Sequence, residues 1–294
     1  MPKSYDDENL STRKPDWLKI RLHKGEAFAD VDRIVSRHSL HTICSSGKCP
    51  NKADCWSRRT ATFMILGDIC TRDCRFCATL TGRPLPPDPD EPRKIAESVS
   101  KMGLRYVVVT SVTRDDLPDR GAKQWAETVS AIRAVNPDTT IELLISDMDA
   151  NPLLLDAVLA SKPDVVGHNV ETVERLAPLV RRRATYATSL AVLRHLSARG
   201  AVVKSGLMVG LGERDDEVVK TLADLHEAGV RIVTVGQYLR PGKEHFPVAE
   251  YISPDKFEWY RQTALEIGFD FCASAPLVRS SYLADEALRA VSKA

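Results

Sequence analysis

The sequence predicts an α/β fold, a partial (β/α)6 barrel of the TIM type with an extension at each end. Three observations carry that reading. Short runs rich in branched residues recur at 106–109, 141–145, 164–166, 201–203 and 232–235, with the continuous apolar character of strands covered on both faces. Between them lie stretches of helical periodicity, so strand and helix alternate as they do in parallel βαβ units. Counted over residues 61–239 there are about six such units, short of the eight that close a barrel. At 294 residues the chain is long enough for this core and its appendages.

In chain order, residues 1–13 are polar and read as mobile, and Trp17, Leu18 and Ile20 are the first apolar anchors. Residues 27–37 suit a short helix with Phe28, Val31, Ile34 and Val35 on one face. A cysteine set follows, Cys44-Ser-Ser-Gly-Lys-Cys49-Pro-Asn-Lys-Ala-Asp-Cys55, at spacing C-x4-C-x5-C. The apolar run Thr62-Phe-Met-Ile-Leu-Gly67 reads as the first barrel strand and leads into Cys70-Thr-Arg-Asp-Cys74-Arg-Phe-Cys77, at spacing C-x3-C-x2-C.

Helices come next. Ile95, Val99 and Met102 recur at i, i+4, i+7 in 92–102, which stops at Gly103. Trp125, Val129 and Ile132 repeat that spacing ahead of Asn136-Pro137. Residues 215–228 place Val218, Val219, Leu222 and Leu225 on one stripe and close at Gly229. The same alternation runs through 151–170 and 184–212. Past Leu239 the pattern changes: Pro241, Pro247 and Pro254 break up a loop-rich stretch, and a helix carrying Phe257, Tyr260, Ala264 and Ile267 follows. Cys272 then lies in a strand-like run as a buried small hydrophobe. The chain is expected to divide into an N-terminal extension (1–60), the partial barrel (61–239) and a C-terminal extension (240–294) that closes over the barrel mouth.

Composition excludes some classes of function. Forty-one basic residues against forty acidic leave a formal charge of +1, so no global field points to nucleic acid or to an anionic membrane. The start has neither the apolar core of a signal peptide nor the acid-free character of a transit peptide, and no apolar stretch is long enough to span a bilayer. A cytoplasmic protein with no membrane and no nucleic-acid partner is expected. Seven cysteines, six of them between Cys44 and Cys77, make a poor disulfide framework and read as metal ligands in a reducing compartment.

Thiolates so closely spaced converge on one centre, and soft sulfur favours zinc, copper(I) or an iron–sulfur cluster. Three cysteines cannot saturate a closed four-thiolate site, so a four-iron cluster on Cys70, Cys74 and Cys77 keeps one iron open. A zinc knuckle needs paired C-x2-C units or matching histidines, and no such partner pair follows. Two triads imply two clusters, each short of one ligand. His38 and His41 are near enough to supply an imidazole, or to stand behind the ligands or on the surface.

The C-x3-C-x2-C loop with Phe76 resembles the radical S-adenosylmethionine motif, in which the open iron takes the amino and carboxylate groups of S-adenosylmethionine and the aromatic lies beside the adenine. Joined to the C-x4-C-x5-C triad, it makes the chain resemble the lipoyl synthase family. Further matches are Lys14-Pro-Asp-Trp17-Leu-Lys19, His41-Thr-Ile-Cys44, Cys49-Pro-Asn51, Thr110-Ser-Val-Thr-Arg-Asp-Asp-Leu117, His168-Asn-Val-Glu-Thr172, Lys204-Ser-Gly-Leu-Met-Val-Gly-Leu-Gly-Glu213, Gly236-Gln-Tyr-Leu239 and Arg279-Ser280-Ser281-Tyr282. Ser45-Ser46 departs from the commoner pair of glutamates, and Ser146 from a proline usual before the aspartate. Neither removes a ligand.

The resemblance implies two 4Fe-4S clusters. One, at Cys70, Cys74 and Cys77, reduces S-adenosyl-L-methionine to a 5′-deoxyadenosyl radical; the other, at Cys44, Cys49 and Cys55 with Ser281 as its remaining ligand by motif match, donates sulfur. It implies sulfur insertion at C6 and C8 of an octanoyl group on a lysine of a lipoyl carrier domain, either an E2 subunit of a dehydrogenase complex or the glycine-cleavage H protein. A flavodoxin- or ferredoxin-type protein would donate electrons, and Ser281 would let go as its cluster is consumed.

Parallel strands gather active groups at their C-terminal ends, here Cys70, Thr110 to Asp116, His168 to Glu171, Gly206 to Gly212 and Gln237 to Arg240. By resemblance to the superfamily, Thr110, Ser111, Asn169 and Glu171 are expected to make polar contacts to S-adenosylmethionine. The glycines 206, 210 and 212 read either as close backbone approach to a ligand or as a tight strand-to-helix turn. Arg181-Arg-Arg183 reads as a solvated face or as steering for an acidic carrier protein. Three other readings stay open: a sulfur inserter acting on a free small molecule or RNA, a two-cluster ferredoxin-like carrier, and a zinc-stabilised nucleic-acid binder, the last weakened by the neutral charge.

Overall fold

Runs of branched residues need cover on both faces, and the chain provides it with helices on a mostly parallel sheet. The computed structural model describes residues 14–19, 25–281 and 284–291; the tail 1–13, Ile20 and Tyr282, named above, lie outside the described residues. The strands are β1 (His41–Thr42), β2 (Thr62–Ile65), β3 (Ile69–Cys70), β4 (Leu80–Thr81), β5 (Tyr106–Ser111), β6 (Thr140–Leu144), β7 (Val165–Gly167), β8 (Val203–Val209), β9 (Ile232–Gln237) and β10 (Phe271–Ala275). The helices are α1 (Glu26–Arg37), α2 (Ile43–Ser46), α3 (Lys52–Ser57), α4 (Glu91–Met102), α5 (Ala122–Val135), α6 (Pro152–Leu159), α7 (Ala177–Val180), α8 (Tyr186–Ala198), α9 (Asp215–Glu227), α10 (Pro254–Ile267) and α11 (Ala284–Val291).

Eight strands form one sheet in the order β1-β2-β5-β6-β7-β8-β9-β10, while β3 and β4 pair separately. β1 is antiparallel to β2, and every other neighbour in the large sheet is parallel. One row of register partners runs Phe63, Val109, Leu143, Val166 and Val203, and all five are fully buried. The six expected units are β2, β5, β6, β7, β8 and β9, each followed by a helix. Among the described residues β1 and β10 remain the two edges, so the barrel is partial, as its unit count requires.

The N-terminal helices join the same core: Val31 and Val35 of α1 and Trp56 of α3 are buried in it, with the Phe28 and Trp56 rings 5.2 Å apart. Inside the barrel, Lys204 Nζ donates to Glu142 Oε1 at 2.8 Å and Tyr106 OH donates to Oε2 at 2.5 Å, so this buried charge pair is satisfied by a third partner. The C-terminal segment reaches both ends of the sheet. Val278 O lies 2.3 Å from where a Cβ on Gly236 would stand, near the C-terminal end of β9. Ala287 and Val291 of α11 pack with Ile232 and Phe271, which open β9 and β10 at the other end.

One boundary differs from expectation. β8 runs on to Val209, which puts Gly206 inside a strand and not in the loop beyond it. A Cβ there would lie 2.4 Å from Thr234 Oγ1 and 3.1 Å from Asn169 Oδ1, so this glycine serves close approach. Gly210 and Gly212, at φ +94° and +100°, make the turn. The turn reading therefore holds at Gly210 and Gly212, while the close approach at Gly206 is to the chain's own side chains.

Candidate active site

At the C-terminal ends of the barrel strands a cavity of about 360 Å³ opens. It is lined by Cys70, Cys74 and Cys77, by Phe76, and by Thr110, Ser111, Asn169 and Glu171, so these predicted residues share one wall-to-wall space. Cys44, Cys49, Cys55 and Ser281 do not line it. Their neighbours do: Ile43, Gly47, Lys48 and Pro50 from one triad, and Val278, Arg279 and Ser280 from the tail.

The chain turns back on itself to present Cys70. β2 ends at Ile65, Leu66 and Gly67 take positive φ, and the short β3 then pairs with β4 around the cysteine loop. Backbone N–H groups of Arg72 and Thr113 point at Cys70 Sγ at 3.4 and 3.3 Å. Thr71 N and Oγ1 both donate to Thr113 O, at 3.1 and 3.0 Å. Arg75 N donates to Val180 O at 2.8 Å, and His245 Nε2 lies 2.9 Å from Cys77 O, to which it donates.

Arg72 is the anchor that sequence reasoning missed. Its guanidinium donates to both oxygens of Asp115 (2.9 and 2.8 Å) and both of Asp147 (2.6 and 2.9 Å), tying the loop to the ends of β5 and β6. Burial pushes both carboxyls up, but the hydrogen bonds and charge of Arg72 outweigh it and hold them below the usual carboxylate range. A buried arginine requires acidic partners, but only the fold shows that Arg72 and not Arg75 is the buried one; both aspartates lie just past strand ends.

Arg181 corrects the solvated-face reading of Arg181 to Arg183. Arg182 and Arg183 are exposed, whereas Arg181 is buried and donates to Ser189 Oγ at 2.6 Å and Val170 O at 3.2 Å. That fixes a proton chain. Having accepted from Arg181, Ser189 Oγ donates to His168 Nε2 (2.9 Å), and His168 Nδ1 donates to Ile145 O (3.0 Å). Burial, then the Arg181 charge, lower His168 to about 4, so it is neutral. Cys74 Sγ lies 3.5 Å from Arg181 O, which carries this buttress to the cysteine loop.

Burial raises two thiols in each triad. Cys74 is pushed up to about 12 by burial and then by Cys77, and Cys55 to about 11 by burial and then by Cys44 and Cys49. Cys77 and Cys49 move the same way, with the Arg279 charge opposing at Cys49. In the iron-free protein at neutral pH these four thiols hold their protons, which iron must displace on binding. Among the described residues no three His, Cys, Asp or Glu side chains converge as they would on a single metal ion.

The cavity fits a polar cofactor. Ser111 Oγ and Asn169 Oδ1 are buried without hydrogen-bond partners, and both residues line it. Glu171 is pushed up by burial, against the Arg181 charge and a hydrogen bond from Asn169. Thr110 is less available, since its hydroxyl donates to Leu144 O at 3.0 Å. Among the described residues no helix is long and apolar enough to cross a membrane.

The family model of the Radical SAM superfamily matches residues 64–225. The chain is 56% identical over 274 residues to lipoyl synthase of Parabacteroides distasonis, covering 93% of this chain and 98% of that one. It is 53% identical over 277 residues to lipoyl synthase of Bacteroides fragilis, covering 94% and 96%, and 54% identical over 277 residues to that of Porphyromonas gingivalis, covering 94% and 98%. Among solved structures the fold is similar to methylornithine synthase, with TM-score 0.57, 14% identity and coverage of 89% of this chain and 85% of that one. Streptococcus suis SuiB bound to S-adenosylmethionine gives TM-score 0.59 at 10% identity, covering 76% and 54%. With its cysteine loop at the strand ends of a partial barrel, the chain belongs to the lipoyl synthase family of radical S-adenosylmethionine enzymes.

Proposed function

We propose that the enzyme inserts two sulfur atoms, at C6 and C8 of an octanoyl group held in amide linkage to a lysine of a lipoyl carrier domain. The observation that carries this reading is the single cavity onto which the Cys70–Cys74–Cys77 loop, the Cys44–Cys49 segment and the Arg279–Ser280 tail all open. Bound at the first triad, a 4Fe-4S cluster and S-adenosylmethionine supply the radical chemistry that breaks an unactivated C–H bond, which acid–base side chains cannot do.

The chain's own residues set up that chemistry. Three cysteines leave one iron open to S-adenosylmethionine, and Phe76 flanks them. Ser111 Oγ, Asn169 and Glu171 offer polar contacts, with Thr110 beside them. Arg72 and the Arg181 chain hold the loop still. Leu144, Leu207 and Val278 line the cavity with apolar surface that suits an alkyl chain and keeps water out.

Sulfur is drawn, in this reading, from a second cluster that is a substrate, held by Cys44, Cys49, Cys55 and Ser281. A serine oxygen is a hard ligand on a soft site and is readily released. Octanoylated E2 subunits or the glycine-cleavage H protein are the proposed carriers, a flavodoxin or ferredoxin the electron donor, and the cytoplasm the compartment.

The test is anaerobic reconstitution and reduction, addition of S-adenosylmethionine and an octanoyl-lysine peptide, and mass spectrometry. A gain of two sulfur atoms with loss of the second cluster is expected. Cleavage of S-adenosylmethionine with an unchanged peptide would reject the substrate, and no cleavage by protein holding both clusters would reject the reaction. Ser281→Ala should release iron from the second triad to a chelator about tenfold faster, and Ser280→Ala should not; the reverse order would move the ligand to Ser280.

A further inference from the structure

We propose that the arc of the cavity rim carrying Lys48, Arg182, Arg183 and Lys243 is the docking surface for an acidic protein face that presents the acylated lysine. This rests on the proposed function and adds the surface by which the carrier is recognised. The chain as a whole carries a formal charge of only +1, yet the mouth is not neutral. All four side chains are exposed. Lys48 lines the cavity, Arg182 and Arg183 stand between the lining residues Arg181 and Ala184, and Lys243 follows the lining Pro241 by two residues.

Arg75 joins the two sides of the arc. Its guanidinium stands over the Phe246 ring at 5.0 Å, its N–H bonds Val180 O, and its carbonyl accepts from Phe246 N at 2.8 Å. The exposed carboxylates on the arc are Asp73 and Glu244, and each already meets cations. Asp73 lies 2.7 Å from Arg182. Glu244 lies within the field of Lys48 and Arg240. Positive charge therefore remains in excess around an opening with apolar walls, where low dielectric focuses the field and favours an acidic partner.

A small free amide needs no such surface. An acyl-lysine on a folded domain does, because the acyl chain must enter while the domain's body rests on the rim. The apolar lining at Leu144, Leu207 and Val278 suits that alkyl chain and offers nothing to a phosphate backbone or lipid headgroup.

The variant that tests this combines Arg182→Gln with Lys243→Glu. Arg183 is left in place because Asp115, 3.2 Å from it, also holds Arg72. Reconstituted protein is titrated with a labelled octanoylated carrier domain at about 50 mM and about 300 mM salt, and sulfur insertion is followed on the domain and on an octanoyl-lysine peptide. Wild-type binding to the domain should weaken about tenfold at the higher salt. At the lower salt the variant should bind the domain about tenfold more weakly, with kcat at saturation and turnover of the peptide kept within about twofold. Domain binding that neither salt nor the variant changes would overturn the proposal, as would equal loss on peptide and domain. An anionic oligonucleotide or vesicle bound through these residues, with the carrier ignored, would also overturn it. Wild-type protein that binds the domain salt-dependently but leaves both substrates without sulfur would count against the proposed function and for the surface.

Discussion

The two cysteine triads offer the same number of thiols and are built in opposite ways. Cys70, Cys74 and Cys77 lie on a loop tied outward, to Asp115 beyond β5, Asp147 beyond β6, Val180 in α7 and His245 beyond β9. Cys44 and Cys55 lie in the short helices α2 and α3, with Cys49 between them, and their backbone bonds are local: Cys49 N to Cys44 O, Lys52 N to Cys49 O and Cys55 N to Asn51 O. Cys44 and Trp56 are buried in the main core, and the tail is met by Asn51 Nδ2, which donates to Leu277 O at 2.7 Å, and by the Arg279 charge near Cys49. The loop is thus pinned to strand ends, whereas the second triad sits on short helices held between the core and the tail. The first construction fixes its thiols through the parallel strands, and the second through the core and the tail together.

The largest effect should come from removing one thiol on each side. Cys74→Ala should reduce S-adenosylmethionine cleavage to background and leave the second triad able to hold iron. Cys49→Ala should keep the cleavage and abolish sulfur insertion, as read by product analysis and iron content. If each substitution emptied both sites, the triads would be one unit and the comparison would fail.

Next in size is the clamp. Arg72→Met strands buried Asp147 and leaves Asp115 only Arg183 and Thr71, and should cost about 3–5 kcal/mol in chemical unfolding of the iron-free protein, with iron lost at the first triad before the second. A cost below about 1 kcal/mol would mean the loop is held by its backbone bonds alone.

The His168 chain supplies a pH test that should distinguish the two regions. His168 stands at about 4 in the folded protein against 6.5 for the free side chain. Its contribution is therefore complete above pH 6.5 and is lost as pH falls from 6.5 towards 4, because the unfolded chain takes up a proton that the folded one refuses. About 3 kcal/mol is at stake. Hydrogen exchange on iron-free protein taken from pH 7 to pH 5 should show residues 70–77 loosening ahead of 44–55; equal loosening would detach the buttress from the cysteine loop.

The smallest effect concerns the tail. Asn51→Ala removes a single bond and should cost about 1 kcal/mol, seen as faster exchange at 277–281 with 70–77 unchanged. Protection of 277–281 as in the wild type would show that Arg279 closes the second triad without help.

Legibility followed how local each signal is. The six strand–helix units were readable because apolar runs and i, i+4, i+7 stripes are short-range patterns that burial enforces. The run of β8 through Gly206 to Val209 was not, because that glycine answers to Asn169 and Thr234, residues distant in sequence. Arg181 looked like one of three solvated arginines, and only the fold shows it bonded to Ser189 and Val170. Thr110 looked as free as Ser111, but its hydroxyl is engaged by Leu144 O while Ser111 Oγ is left without a partner.

From the sequence alone came the kind of chemistry and the class of fold: thiol spacing is local geometry, a three-cysteine count is arithmetic, and the alternation of strand and helix is a periodic code. The tertiary structure decided which groups share a space. Asp115, Asp147 and Arg72 are separated by tens of residues and meet through the parallel order of β5 and β6, and the tail at Val278 reaches the cavity because β10 adds itself beside β9. Long-range pairing is set by packing and closure of the whole chain, and no short stretch of sequence contains it.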